Sequence, residues 1–128
     1  MKKMKSICLC MFTFIMIFVS VAVVFASVSY KFTSVGQSVD EVSSSKLSGN
    51  VSLWATHDKY YNGQLAFSLS KKTLLGYSFI SRQQVNTYNK TLEVVSWSNC
   101  SNANYKGTLL LNVADSNYSQ ISGTFSFQ

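Results

Sequence analysis

Hydrophobic and polar residues alternate with a period of two along most of the chain after residue 26. Such alternation is typical of β-strands that bury one side and expose the other. It predicts seven or eight short strands, at 28–35, 51–56, 65–69, 73–81, 85–88, 91–98, 105–113 and 118–127. Because neither an amphipathic helix nor a βαβ alternation accompanies them, we predict an all-β fold. The expected architecture is an antiparallel β-sandwich or small barrel of about seven strands.

The segments between these strands carry further predictions. Residues 37–49 are polar and serine-rich, which predicts a long loop. The run YNGQ at 61–64 predicts a tight β-hairpin, because Asn and Gly tolerate the positive φ of a type I′ turn. Residues 71–72 predict the next turn, and 73–81, apolar on both sides, predict a central strand. A polar loop is expected at 99–104.

The first 26 residues read as a targeting segment. Lys2, Lys3 and Lys5 precede an uncharged apolar run over 7–26, which is about as long as the ~20 residues of a spanning helix. Two interpretations stay open: a secretory signal peptide cleaved before Ser27, or an uncleaved membrane anchor. Both place a single β domain, residues 27–128, outside the cytoplasm, secreted or anchored by the N-terminal segment. The short lysine-rich start is typical of bacterial signals.

Charge and cysteine usage narrow the function classes. After residue 26 the chain keeps eight basic and five acidic residues, a net charge of +3 that is spread along the sequence. This dispersion argues against a nucleic-acid partner, which requires a clustered basic face. Cys8 and Cys10 lie within the apolar run, so Cys100 is the one cysteine of the predicted domain. It is expected to be a simple thiol or to form an intermolecular disulfide.

Catalytic and metal-binding chemistry has little support in the sequence. His57 is the only histidine, and with Cys100 it forms the one nucleophile–base combination available. Two such residues are too few for a structural zinc site, and the acids are too scattered to favour calcium at 115–117. Glu93 is the acid best placed to point into a groove. No Gly-rich phosphate loop or Gly-x-Ser-x-Gly motif occurs, so we expect no cofactor, no metal and no catalytic site.

Aromatic residues are the most promising chemical feature. Exposed Trp and Tyr rings provide amphipathic platforms for sugars and for protein partners. The predicted binding surface is the hairpin tip with two neighbouring tryptophans: Lys59, Tyr60, Tyr61, Asn62, Trp54 and Trp97.

Three functions follow in order of preference. The first is a secreted or surface-exposed, non-catalytic binding module whose partner is a protein, a glycan or a second copy of the chain. The second is a bacteriocin-like toxin that acts on a cell envelope, helped by the modest positive charge. The third is a small exported enzyme. In all three the membrane is contacted by the N-terminal segment if that segment is retained.

Overall fold

The computed structural model describes residues 27–58, 61–88, 90–115 and 120–128. These residues form eight strands in two antiparallel sheets, which confirms the predicted all-β sandwich. The strands are β1 Ser27–Phe32, β2 Ser38–Val42, β3 Leu47–His57, β4 Gly63–Thr73, β5 Gly76–Asn86, β6 Leu92–Ala103, β7 Tyr105–Ala114 and β8 Ile121–Phe127. Within the described ranges there is no helix of the length and apolar character needed to cross a membrane. The predicted signal or anchor lies outside these ranges.

The two sheets pack face to face around one hydrophobic core. The first sheet has the order β1-β8-β3-β6 and the second the order β2-β7-β4-β5. Alternate residues of each central strand point inward, as the period-two pattern requires. The largest fully buried side chains include Tyr105, Phe67, Phe125, Leu53, Leu65, Leu69, Leu109 and Leu111. Among the described residues, the buried members of this core lie between Tyr30 and Phe127 and come from both sheets.

The predicted hairpin at 61–64 is wrong. β3 pairs with β6 and β8 in the first sheet, whereas β4 pairs with β5 and β7 in the second. The chain therefore changes sheets between His57 and Gly63. Tyr61 explains the difference, because its side chain is buried and its hydroxyl donates a 2.5 Å hydrogen bond to the Val113 carbonyl of β7. Burial of this ring holds the segment against the second sheet and overrides the local Asn-Gly turn preference.

The tight hairpin of this region lies one strand later. β4 continues through Lys71 and Lys72, which were predicted to turn, and the chain reverses at Leu74 and Leu75 before β5. β5 was predicted to be central but forms an edge and pairs with β4 alone. Its apolar side chains are exposed on both faces of the strand, including Tyr77, Phe79 and Ile80.

Two predicted loops are strands. Ser38–Val42 forms β2 within the 37–49 segment, paired with β7, because Val39 packs against the core. The polar 99–104 segment is mostly the end of β6. Asn99 there has φ 58°, and the pairing with β3 shifts around Gly49. A β-bulge thus lets polar residues continue an edge strand.

Candidate functional site

A groove of about 380 Å³ opens at the end of the sandwich where β4 begins and β5 and β7 end. We call it the amide groove. Three adjacent strands of the second sheet and the segment that enters it supply the walls. The lining residues are Asn62, Gly63, Gln64, Asn86, Tyr88, Val113, Ala114 and Asp115.

Two amide side chains that line the groove, those of Gln64 and Asn86, belong to a chain of hydrogen bonds that continues to Asn112 beside it. Asn112 Nδ2 on β7 donates to Gln64 Oε1 on β4. Gln64 Nε2 in turn donates to Asn86 Oδ1 on β5, at 3.2 Å. Each amide has two donor hydrogens and an acceptor oxygen, so these bonds fix the orientation of the groups without using all of their capacity. The result is a preorganised row of donors and acceptors.

The rim of the groove adds an aromatic ring and a carboxylate. Tyr88 lies in the turn after β5 and is 57% exposed. Asp115 follows β7 and is exposed, as is Asn62 on the entering segment. An exposed ring offers an apolar face, while the neighbouring amides and carboxylate bond to hydroxyl groups. This combination suits a small ligand that has both a hydroxyl-rich edge and an apolar C–H face.

A buried threonine fixes the wall of the groove. Thr87 is fully buried, and its Oγ1 donates to the carbonyls of Tyr61 at 2.9 Å and Gly63 at 3.2 Å. The backbone N–H of Thr87 also donates to Gly63 O, at 3.0 Å. A Cβ on Gly63 would overlap the Val113 carbonyl and the Tyr61 ring, so only glycine fits. The entering segment is thereby tied to both β5 and β7.

Two ionisable side chains are buried beneath this wall. His57 and Glu93 are each 3% exposed, and Glu93 lies opposite Ala55 in the β3–β6 pairing. Burial raises the pKa of the Glu93 carboxyl above its ordinary value, and the nearby Lys90 and His57 oppose part of this rise. The ring of Tyr61 packs edge-on against His57, with centroids 5.9 Å apart. Neither His57 nor Glu93 lines the amide groove.

The binding residues predicted from sequence are dispersed. Lys59 and Tyr60 lie outside the described residues. Of the other four, Asn62 lines the amide groove. Tyr61 was expected to offer an exposed ring, but it is only 8% exposed and serves as a structural anchor.

The two tryptophans lie away from the amide groove. Trp54, opposite Val94 on β6, is half-buried on the outer side of the first sheet. Trp97 is also half-buried, and its Nε1 donates a 2.5 Å hydrogen bond to Ser81 Oγ on β5. Trp97 therefore connects the two sheets along their β5–β6 side.

The groove residues that sequence reasoning missed share one signal. Gln64, Asn86, Tyr88 and Asp115 each stand at or just beyond the end of a strand. Polar residues at strand ends are common in turns, so their pattern alone does not indicate a site. What brings them together is the β7-β4-β5 order of the second sheet.

The nucleophile–base pair considered from sequence is ruled out by the register. Cys100 lies opposite Gly49, eight residues along β3 from His57. At 3.3 Å per residue the two side chains are about 26 Å apart, far beyond hydrogen-bond reach. His57 is buried because β3 continues through it. Cys100 is a half-buried free thiol whose Sγ lies 3.7 Å from the Trp97 carbonyl oxygen.

The described residues contain no candidate metal-binding cluster. Among the described residues, no three His, Cys, Asp or Glu side chains lie close enough together to hold an ion.

Comparisons with known proteins find similarity at the level of the fold alone. No family model matches the sequence, and no curated protein matches it. Among solved structures, a family 32 carbohydrate-binding module from C. perfringens, in complex with galactose, superposes with a TM-score of 0.54 at 8% identity. That match covers 78% of this chain and 76% of the other.

Two further structures are similar at a TM-score of 0.50. The pre-peptidase C-terminal domain of collagenase from Bacillus anthracis is 10% identical, with 81% of this chain and 89% of that chain covered. A carbohydrate-binding module specific for non-crystalline cellulose is 8% identical, with 80% and 70% covered. At these identities the likeness establishes a shared β-sandwich fold, one used by carbohydrate-binding modules and related domains.

Proposed function

We propose that this chain is a non-catalytic glycan-binding module and that the amide groove is its binding site. The observation that carries the proposal is the hydrogen-bonded amide row beside the exposed ring of Tyr88. Sugars present hydroxyl groups along their edges and C–H bonds on their ring faces. The amides and Asp115 would bond to the hydroxyls while the Tyr88 ring packs against the C–H face.

The size of the groove favours a short ligand. Small-molecule sites commonly occupy about 300–1,000 Å³, and the amide groove lies near the lower limit. One or two sugar units, or the end of a longer chain, match this volume better than an extended polysaccharide. The hydrogen bonds among the amide side chains also support binding. Because these side chains are already held in place, they lose little conformational entropy when the ligand binds.

The positions of the buried acid and base support a binding role without catalysis. Tyr61 packs against His57, and neither His57 nor Glu93 lines the groove, so the ligand would contact amides, one carboxylate and a phenol ring. We also propose that the domain works outside the cytoplasm, secreted or anchored by its N-terminal segment, where glycans of cell surfaces are accessible.

The test is a glycan array followed by isothermal titration calorimetry on the 27–128 chain. Galactose and non-crystalline cellulose are the first probes, because one module of the same fold forms a complex with galactose and another is specific for non-crystalline cellulose. Tyr88→Ala should weaken binding of the best ligand about tenfold, from loss of ring contact. Asn86→Ala should weaken it by a similar factor, because it also releases Gln64.

Phe79→Ala is the matched control. Phe79 is an exposed aromatic residue on β5, the strand that also carries Asn86, and it lies outside the amide groove. Its variant should bind as the wild type does. An array on which the wild type binds nothing would contradict the proposal. So would a loss of affinity in Phe79→Ala that leaves Tyr88→Ala unaffected.

A further inference from the structure

Two fully exposed leucines form the tip of the β4–β5 hairpin. Leu74 and Leu75 have relative exposures of 104% and 101%, the highest of the large apolar residues described. Below them, Tyr77 and Phe79 on β5 are also exposed. We call Leu74 and Leu75 the leucine tip. Two adjacent large apolar side chains with no covering surface are costly in water, which points to a partner.

The turn itself does not require leucine. Gly76, the next residue, takes the positive φ of +125°, so both leucines keep ordinary negative φ values. Thr73 Oγ1 closes the loop by donating to Gly76 O at 3.1 Å. Asn, Asp, Ser and Gly are the residues that turn geometry favours at such a tip. Turn geometry therefore does not account for leucine at these two positions.

Positive charge surrounds the base of the tip. Lys71 and Lys72 end β4, and the Lys72 N–H donates to the Asn104 carbonyl of the β6–β7 turn. Asn104 Nδ2 also donates to Ser43 O, which places the loop between β2 and β3 at the same end of the sandwich. The lysines of this end, which we call the lysine collar, are Lys46, Lys71, Lys72 and Lys106.

Acidic side chains offset this charge only in part. Asp40 forms a 3.4 Å ion pair with Lys106, and Lys106 Nζ also lies 5.5 Å from the centre of the Tyr77 ring. Glu41 is the second acid of β2. The remaining acids, Asp58, Glu93 and Asp115, lie at the groove end. The end with the leucine tip therefore has four lysines against two acids.

We propose that the leucine tip inserts into the surface of an anionic lipid bilayer while the lysine collar contacts the lipid headgroups. Apolar side chains that enter the acyl boundary, with lysines behind them, are the recognised means of interfacial binding. Each lysine near an anionic surface adds to the attraction, and its alkyl stem reaches along the apolar layer. The leucine tip supplies the apolar contact and the lysine collar supplies the charge, and both lie at the same end of the sandwich.

The shape of the projection favours a bilayer over a protein partner. A stable protein interface needs about 800 Å² from each side, far more than two side chains offer. A bilayer surrounds a protrusion, so it covers Leu74 and Leu75 from all directions. Two copies of the chain meeting tip to tip would bring two lysine collars together, which costs Coulomb energy.

Insertion at this end would leave the amide groove facing away from the bilayer. β4 runs from the groove at Gly63 to the tip beyond Thr73, and its 11 residues span about 36 Å. The proposal is independent of glycan binding, because the two sites share no residue. Either can fail in experiment without affecting the other.

Cosedimentation of the 27–128 chain with lipid vesicles tests the proposal. One set of vesicles is phosphatidylcholine and the other contains about a third phosphatidylglycerol, both at low salt. The wild type should partition at least about tenfold more strongly onto the anionic vesicles. The double variant Leu74→Ser, Leu75→Ser should lose at least about thirtyfold of that partition. Lys71→Gln with Lys72→Gln should reduce the preference for anionic lipid about tenfold.

A second pair of exposed apolar residues gives the matched control. Leu92 and Val94 on β6 are 43% and 41% exposed and lie away from the tip. Leu92→Ser with Val94→Ser should bind vesicles as the wild type does, and circular dichroism checks that each variant is folded. The proposal is overturned if the wild type ignores anionic vesicles or if the tip variant binds as well as the wild type. A wild-type dimer that the tip variant converts to monomer, without vesicle binding, would assign the tip to self-association instead.

Discussion

Thr87→Val is the substitution that most directly probes how the amide groove is held in shape. Valine matches threonine in size, so the change removes a hydroxyl from a fully buried site without leaving a cavity. The lost contacts are the bonds from Oγ1 to the carbonyls of Tyr61 and Gly63. At about 0.5–1.5 kcal/mol per hydrogen bond, with a methyl group now against two carbonyls, unfolding should become about 2 kcal/mol easier.

Thermal and urea unfolding of the 27–128 chain measure this cost. For a domain of this size 2 kcal/mol lowers Tm by about 8–16 °C, and the urea midpoint should fall with an unchanged slope. Thr87→Ser keeps the hydroxyl and should lose only about 0.8 kcal/mol for the missing methyl. Thr124→Val alters an exposed hydroxyl pair with Thr56 and should change stability by less than about 0.5 kcal/mol. Equal stability of Thr87→Val and the wild type would refute the reasoning.

Three further substitutions test the core and the buried acid. Phe67→Ala removes a fully buried ring that lies 6.3 Å from the Phe125 ring, centre to centre, and should cost about 3–5 kcal/mol in urea unfolding; a cost below about 1 kcal/mol would contradict this packing. Gly107→Ala places a methyl group 2.6 Å from Leu53 Cδ2 and should cost about 1–3 kcal/mol, whereas a stabilised variant would show that the sheets have room to spare. Burial raises the pKa of Glu93 above 4.5, so the folded chain holds this proton more tightly and loses stability as pH rises through the raised value. Glu93→Gln should therefore gain stability relative to the wild type as the pH rises above about 4.5, and a difference that does not change with pH would contradict the assignment.

The fold class could be predicted from the sequence because strand formation depends on the local alternation of hydrophobic and polar residues. Period-two alternation marks which residues of β7 face the core, and the prediction of 105–113 agrees with Tyr105–Ala114 within one residue. Strand pairing, in contrast, could not be predicted from local sequence. The YNGQ run at 61–64 has ideal turn chemistry, yet β3 and β4 lie in different sheets. Burial of the Tyr61 ring determines that outcome, and burial depends on tertiary contacts.

The candidate site was harder to predict for the same reason. Gln64, Asn86 and Asn112 become neighbours only because β4 lies between β5 and β7. In sequence they are ordinary polar residues near strand ends. Leu74 and Leu75 were similarly hidden, since two apolar residues among β-branched and aromatic neighbours read as part of a buried strand. Their exposure depends on the turn before Gly76, whereas the sequence analysis placed the turn at Lys71 and Lys72.

The most direct test of glycan recognition is an NMR titration of the 15N-labelled 27–128 chain with the best array ligand. The account predicts that shifted signals cluster on Asn62, Gln64, Asn86 and Tyr88, with side-chain amides among the largest changes. The signals of Leu74, Leu75 and Trp54 should stay in place. Shifts confined to the outer side of the first sheet, or absent throughout at millimolar sugar, would contradict the assignment of the amide groove as the binding site.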